Sequence, residues 1–176
     1  MNRNHALAGL AMLLVFAVAS GAAHSAEPKA TKPEKGATKT DPKQIERGRY
    51  LLTVGNCNDC HTDGFAPSEG KVPEKEWLLG GGALGLRGPW GTTYATNLRL
   101  SLSRMAEDAW VKYAKGLKTR PPMPWFNLNQ WTDSDLRAFY QYVRQLGPVG
   151  EPAQSYLPPD KEPKPPLIQW PAPPKK

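Results

Sequence analysis

Histidine, cysteine and methionine are scarce in this 176-residue chain, with three, two and four copies respectively. Long apolar runs are also missing. The longest, Ala6 to Val18, falls short of the about 20 residues that span a bilayer. Arg3 and His5 precede it, and the small residues Ala19–Ala23 and Ser25–Ala26 follow. This layout predicts a secretory signal peptide over residues 1–26 rather than an uncleaved anchor. The expected product is an exported, periplasmic chain with no stable membrane span after processing. Alternating strand patterns and internal repeats are likewise absent, in keeping with an all-α core. The net charge of +7 invites a nucleic-acid reading. The end lysines, however, are interleaved with proline and glutamate, and the core carries no RNA- or DNA-binding motif, so solvated tails are expected instead.

Loss of the leader narrows the list of reactive side chains. His5 and His24 leave or end at a free terminus, and Met1 and Met12 leave, so His61, Met105, Met123, Cys57 and Cys60 remain. Residues 27–40 mix Lys, Pro, Ala, Thr and Glu without apolar periodicity, which predicts a flexible linker. Order is expected from Asp41, a helix N-cap followed by Pro42 at the first helical position. Ile45, Gly48, Leu51 and Leu52 share one face of that helix, which ends near Gly55. Gly48 costs about 1 kcal/mol against Ala in a helix interior, and a close helix crossing would account for it.

Glycines crowd the stretch from Thr62 to Leu102, which reads as a long loop. Gly80-Gly81-Gly82-Ala83-Leu84-Gly85 satisfies G-x-G-x-x-G literally. With no strand before it and no helix after it, the dinucleotide fingerprint fails its context test. Ser103 opens a predicted helix over 104–117, with Met105, Ala109, Trp110 and Tyr113 as its apolar stripe. Arg120–Trp125 is proline-rich and breaks it. Thr132 and Asp135 form a capping-box pattern at the head of a last helix. Leu136, Phe139, Tyr140, Val143 and Leu146 line one side of it, and Gly147-Pro148 ends it. Prolines dominate 151–176, predicting an extended tail in which Tyr156, Leu157, Ile168 and Trp170 are candidates for docking. The expected division is therefore a folded all-α core over 41–150 with long loops, and a tail over 151–176.

Cys57-Asn58-Asp59-Cys60-His61 is a C-x-x-C-H sequence, read as an attachment site for one covalent haem c. Two thiols three residues apart can each add to one vinyl group, and the next residue sets an imidazole beneath the iron. A thioredoxin-like pair would need a βαβ context that the pattern lacks. Structural zinc would need four ligands, and no cysteines lie beyond the motif. A simple disulfide would leave His61 without a role. The second axial position is open to Met105, Met123, a weaker Lys or Tyr, or nothing. Met105 falls on the apolar stripe and reads as core packing. Met123 stands in Pro121-Pro122-Met123-Pro124-Trp125, where a stiff backbone can hold a thioether over a metal at small entropic cost, and it is the favoured ligand. The predicted metal ligands are thus His61 and Met123.

The chain resembles a class I, monohaem c-type cytochrome over residues 41–150. It is similar to the haem modules in cytochrome subunits of periplasmic alcohol and gluconate dehydrogenases. That likeness rests on Gly48-x-Tyr50-Leu51 before Gly55-Asn56-Cys57, on Gly91-Thr-Thr-Tyr94-Ala-Thr-Asn97-Leu98, on Trp110 and on Met123-Pro124. Those subunits carry three modules and this chain one, which favours a small stand-alone carrier. The resemblance implies a cytochrome c fold, helices wrapped around one haem, with Gly48 at the crossing of the first and last helices and Tyr140 or Phe139 opposite. It also implies a proline carbonyl accepting the His61 imidazole proton, for which Pro89 is the candidate by chain order. Arg87, Trp90, Tyr94 and Asn97 are typed to meet buried haem propionates. For Trp90 and Tyr94 the competing expectation is packing on the haem face.

Function is expected to be electron transfer without bond chemistry, so the chain is not read as an enzyme. A periplasmic dehydrogenase is the expected donor and a terminal oxidase or another cytochrome the acceptor. The alternative is a haem subunit held tightly in a dehydrogenase or oxidase complex. A haem enzyme or gas sensor would need an open distal site and a distal base, which the histidine inventory does not supply.

Overall fold

The computed structural model describes residues 41–171. The expected leader and linker over 1–40 and the last five residues lie outside them. Six helices and a small sheet follow in chain order: α1 (Pro42–Val54), α2 (Cys57–His61), β1 (Gly85–Gly88), β2 (Gly91–Thr93), α3 (Leu98–Ser103), α4 (Glu107–Gly116), α5 (Trp125–Leu128), α6 (Asp133–Leu146) and β3 (Leu167–Gln169). No helix of the described residues is long and apolar enough to cross a membrane.

Both long terminal helices begin where side-chain caps allow. Asp41 accepts from the Lys43 N–H, and Pro42 occupies the first turn, where a missing N–H costs nothing. Thr132 accepts from the Asp135 N–H, and α6 stops at Gly147. Their apolar faces meet. Gly48, Leu51 and Leu52 of α1 are buried, as are Leu136, Ala138, Phe139, Tyr140, Tyr142 and Val143 of α6. A β-carbon at Gly48 would collide with the Ala138 carbonyl and the Tyr142 β-carbon. The residues opposite Gly48 are therefore Ala138 and Tyr142, not the expected Tyr140 or Phe139. One helical turn separates Ala138 from Tyr142, and Phe139 points instead to Trp110 and Trp131, at ring distances of 5.6 and 5.9 Å.

The middle of the chain departs from the predicted long loop and from an all-α fold. Asn97 caps a short helix, its Oδ1 accepting from the Leu100 N–H, so α3 forms where only loop was read. The next helix begins at Glu107, three residues later than predicted, with Ala106 in extended backbone before it. β1 and β2 form an antiparallel hairpin with Gly88 opposite Gly91, and β3 lies parallel to β1. The proline-rich segment after residue 150 is thereby attached to the rest of the structure by backbone hydrogen bonds, although most of its described residues, Ile168 among them, stay exposed. It runs back along the hairpin through the Thr92–Leu157 bridge before adding β3.

Buried Arg99 ties these two halves together. Its guanidinium donates to the carbonyls of Leu146, of Gly147 (2.5 Å) and of Lys75 (2.8 Å). Two of these are carbonyls at the C-terminal end of α6, where a positive charge is favoured.

Candidate functional site

Gly55 ends α1 and Asn56 turns the chain with φ +55°, a left-handed conformation that asparagine tolerates. Cys57 starts the next turn at once, so Cys57, Cys60 and His61 share one five-residue helix. Both cysteines are free thiols. Burial pushes the Cys57 thiol up to about 12, and burial followed by the nearby Asp59 charge raises Cys60. A redox-active C-x-x-C pair needs the opposite shift, toward thiolate. The dithiol reading therefore loses its electrostatic support.

His61 Nδ1 lies 2.8 Å from the Thr96 carbonyl oxygen. A carbonyl can only accept, so Nδ1 carries the proton and Nε2 keeps its lone pair free for a metal. Burial lowers the imidazole pKa and holds the ring neutral, against the smaller opposing effect of the Thr96 bond. The acceptor expected at Pro89 is thus corrected to Thr96. Pro89 is exposed in the two-residue turn between β1 and β2, whereas Thr96 follows β2 on the segment that returns beside α2. The glycine run lies between them. Gly80 N–H donates to the His61 carbonyl at 2.9 Å, and a β-carbon at Gly81 would stand 2.7 Å from the Cys60 carbonyl. The run is there for close approach, not for phosphate.

The same extended segment reaches the favoured distal ligand. Thr93 Oγ1 donates to the Pro121 carbonyl at 3.1 Å, two residues before Met123. Thr93 and Thr96 are three residues apart on the stretch that leaves β2. One backbone stretch therefore anchors both the His61 ring and the Met123 loop. Met123 is half-buried in that loop. Met105 packs against the hydrophobic core instead, and its carbonyl accepts from the Tyr140 hydroxyl at 2.7 Å.

Of the four residues typed for haem propionates, two are committed elsewhere. The Asn97 amide donates to the carbonyls of Val149 (2.9 Å) and Glu151 (3.4 Å), and its oxygen caps α3, which leaves it no donor and corrects the propionate expectation. Arg87 donates to the Lys161 carbonyl (3.1 Å) and the Glu162 carboxylate (3.2 Å). Tyr94 is buried beside Gly85. Trp90 is different: its Nε1–H is buried with no partner among the described residues, and so is Thr92 Oγ1, a residue the sequence reading missed. An orphaned buried donor costs about 1–3 kcal/mol, so both fit a site completed by an acceptor such as a carboxylate.

Among the described residues no three His, Cys, Asp or Glu side chains gather as a metal cage. One imidazole and one thioether would leave four positions of a six-coordinate metal for a porphyrin, with the two thiols bonded to the porphyrin's edge rather than to the metal. An open cleft of about 850 Å³ is lined by Lys112, Tyr113, Leu117, Lys118 and Arg120, on α4 and the loop leading to Met123.

In these features the chain is similar to a cytochrome c module. Comparison with known proteins agrees. Over 120 residues, 62% of its length, the chain is 28% identical to the fructose dehydrogenase cytochrome subunit of Gluconobacter japonicus. Over 142 residues, 74% of its length, it is 28% identical to the cytochrome c subunit of the quinone alcohol dehydrogenase of Gluconacetobacter polyoxogenes. A nicotinate dehydrogenase subunit from Pseudomonas putida matches at 28% over 119 residues, 62% of the chain. The matched stretch covers 23%, 26% and 9% of those three relatives, in the order given, so the chain is similar to one part of each. No family model and no solved structure matches.

Proposed function

We propose that this chain is a periplasmic electron-transfer protein with one haem c bound covalently through Cys57 and Cys60 and ligated by His61 and Met123. Bound there, the haem supplies a one-electron ferric–ferrous couple. The chain's own residues hold the frame. Thr96 fixes the His61 tautomer, which raises the basicity of the ligating nitrogen. Thr93 tethers the Met123 loop, and a thioether ligand favours the reduced metal and a raised potential. Trp90 and Thr92 offer donors to a propionate. The observation that carries this reading is the Thr93–Thr96 segment, which supports both axial candidates at once.

The donor would be a periplasmic dehydrogenase, and the acceptor a terminal oxidase or another cytochrome. Lys112, Lys118 and Arg120 give the cleft side of the molecule a positive field that speeds encounter with an acidic face in a salt-dependent way. The relatives favour a second reading, a haem subunit held permanently in a dehydrogenase complex, since all three are named as dehydrogenase subunits. A monomer on size exclusion at high salt supports the mobile carrier, and co-purification of a dehydrogenase supports the subunit.

The test is export followed by optical spectroscopy and intact mass. The wild type is expected to be red, with one added haem mass and a Met–iron charge-transfer band. Met123→Ala should keep the mass and lose the band, while Met105→Ala keeps both. A colourless protein without the added mass overturns the proposal. Loss of the band only in Met105→Ala overturns the ligand assignment.

A further inference from the structure

We infer that the segment after residue 150 is a strap that positions the distal loop, with Tyr156 as its positioning residue. This inference rests on the haem reading above. Three sets of contacts carry it. Thr92 and Leu157 exchange two backbone hydrogen bonds, N–H to carbonyl at 2.8 and 3.0 Å, which pins the strap to β2. The Tyr156 hydroxyl donates to the Trp90 carbonyl at 2.7 Å, which fixes the direction of its ring. Over that ring sits the Arg120 guanidinium, 4.0 Å from the centroid. Arg120 is three residues before Met123, in the same loop whose Pro121 carbonyl accepts from Thr93.

The distal loop therefore has two neighbouring attachments, one on the hairpin and one on the strap that overlies the hairpin. Further along, the strap is held independently of the loop. The Trp170 N–H donates to the Arg87 carbonyl at 2.8 Å, the Trp170 ring lies 6.0 Å from that of Trp90, and Glu162 pairs with Arg87. A strap so anchored gives Arg120 a fixed aromatic surface. A guanidinium over an aromatic face is a directional contact that a free loop would lack. The effect on function runs through Met123: a loop tethered at Arg120 and Pro121 restricts the excursions that would take the thioether away from the metal.

Full-length Tyr156→Leu, Tyr156→Phe and Arg120→Gln variants test this, each first checked for one covalent haem. Tyr156→Leu removes both the ring and the hydroxyl, and Arg120→Gln removes the cation. Both should raise the rate of carbon monoxide binding to the ferrous protein by about tenfold, the scale of one lost cation–π contact with its supporting hydrogen bond. Both should also weaken the Met–iron band on warming below the wild-type midpoint. Tyr156→Phe keeps the ring and should restore most of the wild-type rate. If both disruptive variants bind carbon monoxide at the wild-type rate with an undiminished band, the strap is glue for the sheet alone and the inference is overturned, even where denaturant resistance falls. A wild type without covalent haem would instead overturn the underlying reading, so the two failures are distinct.

Discussion

The α1–α6 crossing and the hairpin-and-strap side of the molecule are built on opposite plans. At the crossing, two capped helices of 13 and 14 residues touch through a glycine, and the partners are backbone and side chains in fixed register. On the other side, a hairpin of strands of four and three residues is joined by hydrogen bonds to a segment more than sixty positions downstream. The first plan stores stability in apolar burial, the second places functional groups through individual polar contacts. The candidate site follows that division: α2 hangs from the end of α1, and everything that orients its histidine and the distal loop comes from the second side.

The largest expected effect tests the crossing. Gly48→Val drives a branched side chain into the Ala138 carbonyl, which belongs to a helix backbone and cannot swing away. Overpacking of this kind costs roughly 3 kcal/mol, and at about 4 °C per kcal/mol the thermal midpoint should fall by about 12 °C. Gly48→Ala sharpens the comparison. Helix propensity alone would stabilise it by about 1 kcal/mol, so a stabilised Ala variant in thermal melts would break the account of a close crossing.

Next comes the place where the two plans meet. Arg99→Leu leaves the carbonyls of Lys75, Leu146 and Gly147 without their shared donor. Orphaned buried acceptors cost about 1–3 kcal/mol each, partly offset because a guanidinium no longer has to be buried, so a net loss of about 2 kcal/mol is expected in urea titration. Arg99→Lys should lose nearly as much, since an ammonium cannot span three carbonyls held in a fork. A neutral outcome for both would mean that the C-terminal end of α6 finds its partners elsewhere.

The contrast also decides what was legible in the sequence. α1 and α6 could be read because Asp41-Pro42 and Thr132-x-x-Asp135 are local cap signals and the apolar period follows directly. The C-x-x-C-H turn could be placed for the same reason, since the motif lies within five residues. The hairpin was not, because Gly85–Gly88 and Gly91–Thr93 are too short to alternate and β3 lies some eighty positions downstream. The His61 acceptor was hidden for a deeper reason: Thr96 acts through its carbonyl, which every residue possesses, so side-chain type carries no signal. Asn97 misled in the opposite way, since an amide suits a propionate and a helix cap equally and only the return of Val149 and Glu151 decides between them. Thr92 escaped notice because a hydroxyl becomes a candidate only once its burial without a partner is known.

The smallest expected effect lies at the exposed edge of the crossing and is read with pH. Arg47 of α1 donates to Asp135 of α6 at 2.9 Å, and that hydrogen bond, with a second from Thr132, holds the Asp135 carboxyl below its usual range. A depressed folded-state pKa means that the unfolded chain binds the proton more readily. The stabilisation is then fully present above the unfolded value of about 4 and disappears as pH falls through the lower folded value. In Asp135→Asn the α1–α6 edge should lose that part of its acid sensitivity, so wild type and variant converge in denaturant midpoint toward about pH 2 and differ most near neutrality. Because Arg47 is solvent-exposed, the difference should shrink further in molar salt, whereas the Gly48 effect, which is steric, should not respond to salt at all. A salt-insensitive Asp135 effect would mean that the carboxylate acts as the N-terminal partner of Thr132 within α6 rather than as a bridge between helices.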